Sequence, residues 1–79
     1  MGIAANEAEL AQKASRYLKA EMKRAGVTYS ELAKRLEAHG LHETEASITS
    51  KLARGTFAAT FFLGCVAALE LDGIRLEDI

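Results

Sequence analysis

The chain contains no proline and no tryptophan. Without proline, no position removes a backbone donor or forces a clash inside a helix, so long helical stretches are open to the whole sequence. A single cysteine, Cys65, excludes an internal disulfide and fits a reducing compartment. No long hydrophobic run is present either. The longest apolar stretch, Phe57 to Leu71, is interrupted by Thr60, Gly64 and Glu70 and is too short to span a bilayer. The opening MGIAANEAELAQK lacks a basic start followed by an apolar run, which excludes a signal peptide. These absences together point to the cytoplasm. A phosphate-binding loop, a nucleophile elbow and paired catalytic carboxylates are also missing, so the expectation is no enzyme, no cofactor and no small-molecule substrate. His39 and His42 flank a glycine turn without a further ligand nearby, and no metal site is expected. Cys65 has no histidine at a recognisable spacing and reads as a small core residue.

Charge of one sign is missing too. The net charge is −1, whereas a dedicated DNA-binding domain is usually basic. The distribution says more than the sum. From Lys13 to Arg54 there are nine basic and five acidic residues; the flanks hold one basic and six acidic residues. The protein therefore has a basic middle and acidic ends. Its 79 residues form one domain, residues 1–79, with a modest core and a stability of only a few kcal/mol.

What the sequence does contain is helical punctuation. Gly26, Gly40, Gly55 and Gly73 each follow a plausible helical stretch, where glycine takes the left-handed stop position at little cost. They divide the chain into four helices and a tail. The first helix runs from about Glu7 to Ala25, capped by Asn6 with Glu9 three residues on. Leu10, Ala14, Tyr17, Leu18, Met22 and Ala25 share one face, and Lys13, Arg16, Lys19 and Lys23 the other. That basic stripe is either a solvated surface or a phosphate-facing one. The second helix has the strongest local signature. Thr28 caps it, Glu31 is the reciprocal partner, and Val27 and Leu32 sit where a hydrophobic staple needs them. Leu32, Ala33 and Leu36 face inward, and Gly40 ends the helix.

The third helix runs from about Glu45 to Arg54, with Thr44 or His42 as its cap and Ile48 and Leu52 as its inward pair. Ser47, Ser50, Lys51 and Arg54 lie toward water or a partner. The fourth, Phe57 to Leu71, is apolar nearly all round, as a helix central to its domain or buried by another chain would be. Phe62, Leu63 and Val66 are candidates for a dimer seam. Gly64 inside this helix implies close approach by a neighbouring helix. The tail GIRLEDI reads as a short strand or one last helical turn that closes the core from below.

Two short capped helices joined by a turn, SELAKRL and ITSKLARGTF, followed by the apolar FFLGCVAALEL, resemble the Cro and phage-repressor type of helix-turn-helix domain. The resemblance covers about Leu10 to Ile79. More specifically, the run from Glu43 to Phe57 is similar to that of short bacterial proteins of unassigned function sharing an ETEA…RGTF pattern. The repressor resemblance implies an all-α, four-helix fold with a short C-terminal tail element. It also implies a small regulator of transcription that binds double-stranded DNA, working as a homodimer. Departures from the pattern are visible: EAHGLHETEAS separates Leu36 from Ile48, a longer turn than usual. Ile48 and Leu52 are four apart, so the third helix presents a rotated face. The residues expected to meet DNA are Ser47, Ser50, Lys51 and Arg54, helped by Lys34 and Arg35. The front of the third helix offers Glu45, Ala46 and Ser47 rather than Arg, Asn or Gln, so base reading is weak there. The alternative function is a protein-interaction or dimerisation module that keeps the fold without DNA, using the fourth helix and the tail.

Overall fold

The computed structural model describes residues 6–79 and is all-helical: α1 (Glu7–Ala25), α2 (Tyr29–Glu37), α3 (Glu45–Arg54) and α4 (Ala59–Ala68). Among the described residues there is no strand. Residues 1–5, which the single-domain expectation also covers, lie outside the described residues. The expected caps of α1 and α2 are made, and of the two candidates for α3 Thr44, not His42, is the cap. Asn6, Thr28 and Thr44 accept from the backbone N–H of Glu9, Glu31 and Ser47 respectively. Each satisfies a donor that has no partner within the helix. At α2 only half of the expected reciprocal pair forms, because the Glu31 carboxylate turns to Arg35 at 3.3 Å. At α3 the pair is complete, with Ser47 supplying the return bond to the Thr44 N–H at 2.8 Å.

Gly26, Gly40 and Gly55 all take positive φ and stop their helices. Gly55 also meets a neighbour: a Cβ built there would lie 2.9 Å from the Ala11 carbonyl oxygen, so the exit of α3 rests against the backbone of α1. Gly73 is not a helix stop. The fourth helix is shorter than expected at both ends, and its left-handed residue is Glu70 at φ 60. There the Leu71 N–H reaches back to the Val66 carbonyl and the Glu70 N–H to that of Ala67. This is the double bond pattern a glycine usually supports. Phe57 belongs to the linker before α4, with its ring packed edge-on to Phe61 at 5.2 Å and stacked on Phe62.

The core is built from Leu18 and Met22 of α1, Val27, Leu32 and Leu36 of the α2 segment, Ile48 and Leu52 of α3, and Phe61 and Cys65 of α4. α2 packs on both α3 and α4, and α1 on α3. Two expected core members of α1 fall outside: Leu10 is 44% exposed and Ala25 is exposed. Ser15 of α1 is buried instead, and its hydroxyl donates to the Leu52 carbonyl in the last turn of α3. That carbonyl has no partner within its own helix, so the buried hydroxyl and the helix end satisfy each other. Arg35 does the same for α4, donating from α2 to the Ala68 carbonyl at 3.1 Å. Gly64 is closely approached, by the side chains of Leu41 in the α2–α3 connection and Leu36 of α2. The tail forms a single 3-10 turn, Leu76–Asp78. It does not close the core, since Leu76 is 60% exposed.

Candidate nucleic-acid interface

The residues expected to meet DNA divide into two groups. Ser47 and Lys51 are engaged inside the protein. Glu43, whose side chain is only 8% exposed, accepts from Lys51 Nζ at 2.5 Å and from Ser47 Oγ at 2.6 Å. The Lys51 ammonium also sits 4.9 Å from the centroid of the Phe61 ring, an attractive arrangement for a cation. Burial by itself pushes the Glu43 carboxyl up. The hydrogen bonds from Lys51 and Ser47, with the Lys51 charge, outweigh that and hold it below its ordinary value. The cluster ties the α2–α3 connection to α3 and to the ring of α4. It follows that Lys51 and Ser47 face a carboxylate rather than open solvent. Arg35 is likewise held, between Glu31 and the Ala68 carbonyl.

Ser50, Arg54 and Lys34 remain exposed. Arg54 reaches back to Ser50 Oγ at 3.2 Å and forward to the Thr56 carbonyl at 3.3 Å. Both acceptors are neutral, so the guanidinium charge stays uncompensated. Lys34 does not share its surroundings. The cleft beside Arg54 is walled instead by Arg16 and Lys19 of α1, with Gln12 and Ser15 between the helices. It is a shallow groove of about 260 Å³ whose lining has three cations and no carboxylate. Arg16 and Lys19 are exposed and make no ion pair among the described residues. Their three-residue spacing was visible in the sequence. What was not visible is that Ser15 and Gly55 bring the end of α3 against this stretch of α1.

The front of α3 is a poor anion site. Glu45 stands exposed in its first turn, and the Thr49 hydroxyl is turned to the Glu45 carbonyl at 2.8 Å. The outer surface of α4 is apolar. Leu63 is 63% exposed, Ala59 and Ala67 are exposed, and Phe62 and Val66 are half-buried. These positions recur at three- and four-residue steps and so share one side of the helix. No described helix is long and apolar enough to cross a membrane.

The family description that matches is "Domain of unknown function (DUF6471)", over residues 10–74. The chain belongs to this family. The matched span takes in all four helices except the first turn of α1, and stops before the 3-10 turn. No curated protein and no solved structure matches the chain.

Proposed function

We propose that this DUF6471 chain is a small cytoplasmic DNA-binding protein that regulates transcription through its α2–α3 helix-turn-helix as a homodimer. It acts by binding rather than by catalysis. The observation that carries the reading is the groove between α1 and the end of α3, where Arg16, Lys19 and Arg54 converge with no carboxylate among the lining residues. Cations so placed suit phosphates, which supply most of the affinity of duplex binding. The phosphate-contacting set thus becomes Arg54, Arg16 and Lys19, with Ser50 on the adjacent outer surface and Lys34 further along α2. Lys51, Ser47 and Arg35 support the fold. Sequence preference is weak, because the exposed residues of α3 are small apart from Glu45 and Arg54 and include no Asn or Gln.

Anisotropy titrations with a labelled random duplex at two salt concentrations test this. Affinity is expected to fall steeply with salt, since each neutralised phosphate releases about one counterion. Arg54→Ala and Lys19→Ala are each expected to weaken binding to all sequences alike and to flatten the salt slope by about one unit. No binding at low salt would sink the reading. It would favour the other class, a protein-interaction module without DNA, for which the apolar outer side of α4 is the specific support.

A further inference from the structure

The α1–α3 groove is held together by two residues that carry no charge. Ser15 is the one buried polar residue among the described residues. A serine inside a helix usually turns its hydroxyl to its own backbone or to water. Here the hydroxyl leaves α1 and donates across 37 positions to the Leu52 carbonyl, just before Arg54. Gly55, directly after Arg54, is buried against the same helix, where a Cβ would stand 2.9 Å from the Ala11 carbonyl oxygen. Arg54 is thus bracketed by two contacts to α1, at Ala11 and Ser15, which lie about one helical turn apart. Arg16 and Lys19 of α1 line the cleft beside it, and no carboxylate does. Bringing three cations to one cleft costs energy through their repulsion, so charge does not explain why α3 ends there. The two uncharged contacts hold the helices together against it. At about 260 Å³ the cleft is smaller than the usual small-molecule site, about 300–1,000 Å³, and suits a backbone phosphate better than a whole ligand.

We propose, on the duplex-binding reading above, that Ser15 and Gly55 are positioning residues for nucleic-acid binding. They clamp the exit of α3 onto α1, so that one stretch of phosphate backbone meets both helices at once. Neither touches the duplex, since Ser15 is buried and Gly55 has no side chain. Without the clamp every cation keeps its charge, but Arg54 no longer acts beside Arg16 and Lys19. Fewer phosphates are then neutralised together, and fewer counterions are released.

Anisotropy titrations of the full chain with a labelled random duplex at two salt concentrations provide the test, with circular dichroism confirming that each variant is folded. Ser15→Ala is expected to weaken binding about fivefold or more and to flatten the salt slope by about one unit, although it removes no charge. Gly55→Ala, which presses the same exit away from α1, should act in the same direction. Gly40→Ala strains a helix stop outside the groove and should leave the slope at the parent value, as any merely structural loss would. Arg54→Ala should weaken the parent, yet add less than about twofold in the Ser15→Ala background. A parent-like slope in Ser15→Ala would overturn the proposal, and so would full additivity with Arg54→Ala. Either result leaves duplex binding by the parent intact, whereas a parent that binds no duplex at low salt removes the duplex reading and the clamp together. Where Ser15→Ala does not fold, amide shifts of the nitrogen-15-labelled parent decide. On adding the duplex, Gln12, Arg16 and Lys19 are expected to move with Ala53, Arg54 and Gly55 at one dissociation constant, and shifts confined to α3 would overturn the clamp.

Discussion

At the scale of single residues the Glu43–Lys51 pair is the most exacting contact. Its carboxylate is nearly enclosed, so truncating Lys51 strands a charge rather than freeing a surface. Lys51→Ala is expected to destabilise the protein by about 2–3 kcal/mol, read by urea unfolding. A phosphate-contacting lysine would instead show its loss in DNA affinity with stability unchanged. The pair also sets an acid limit. The folded Glu43 carboxyl titrates below its ordinary value of 4.5, so its contribution is fully present above that pH and is lost as pH falls through the lower folded value. The melting temperature should drop below about pH 4.5 in the parent and drop less in Lys51→Met. Gly55 is the second exacting residue. Its φ of +77 disfavours any side chain, and a Cβ would press on the Ala11 carbonyl. Gly55→Ala should cost about 2–4 kcal/mol, against about 1 kcal/mol for Gly40→Ala, where nothing lies within 4 Å. Equal losses at the two sites in thermal melts would show that α1 yields easily. Cys65 is inert by contrast. Burial, with the nearby Glu43 charge, pushes its thiol up to about 12 against a smaller opposing effect of Lys51.

At the scale of elements, the helices divide by how their ends are satisfied. α2 begins with its own threonine, and Thr28 Oγ1 accepts from the Glu31 N–H at 3.1 Å. Thr28→Ala should therefore cost about 1 kcal/mol, while Thr28→Ser should cost only a few tenths. Equal losses in denaturant melts would assign the effect to the methyl group rather than to the cap. α4 has no such local provision. Ala58 offers no side-chain cap, no acid or base occupies its terminal turns, and a glutamate takes the left-handed stop. Its end is secured from elsewhere, by Arg35 of α2 on the Ala68 carbonyl. This explains why sequence signals located α1 and α3 residue by residue but overran α4 on both sides. Apolar residues continue past each end of α4, and hydrophobicity alone does not say where backbone bonding stops.

At the scale of the whole molecule the two exposed surfaces ask for different partners. The basic groove between α1 and α3 carries uncompensated charge, and the outer side of α4 carries uncovered hydrocarbon. We expect the second to pair two copies of the chain, as a two-fold DNA site would require. Leu63→Glu is the clean test, because Leu63 is largely exposed, whereas Phe62 is stacked on Phe57 and packs near Tyr17. Sedimentation should show a concentration-dependent dimer in the parent and a folded monomer in Leu63→Glu. A parent that stays monomeric at high concentration would remove the dimer and weaken the DNA reading with it.

The sequence by itself determined four helices, three caps and three glycine stops, because these depend on contacts within a few residues: a hydroxyl three positions before an N–H, or a missing Cβ at a positive φ. It also determined the inward pairs Leu32 with Leu36 and Ile48 with Leu52, since their spacing follows the helical repeat. Only the tertiary structure decided which cations are free. Lys51 and Arg54 lie three residues apart on one helix with the same formal charge. Lys51 meets the enclosed Glu43 and the ring of Phe61, and Arg54 meets only neutral oxygens beside Arg16 and Lys19. That difference rests on which elements abut, and Ser15 shows how it is set. A polar residue on the buried side of α1 finds the unpaired Leu52 carbonyl of α3 and fixes the two helices together. A charge pattern along the chain does not contain the distance between residues 37 positions apart, and electrostatic partnership depends on that distance.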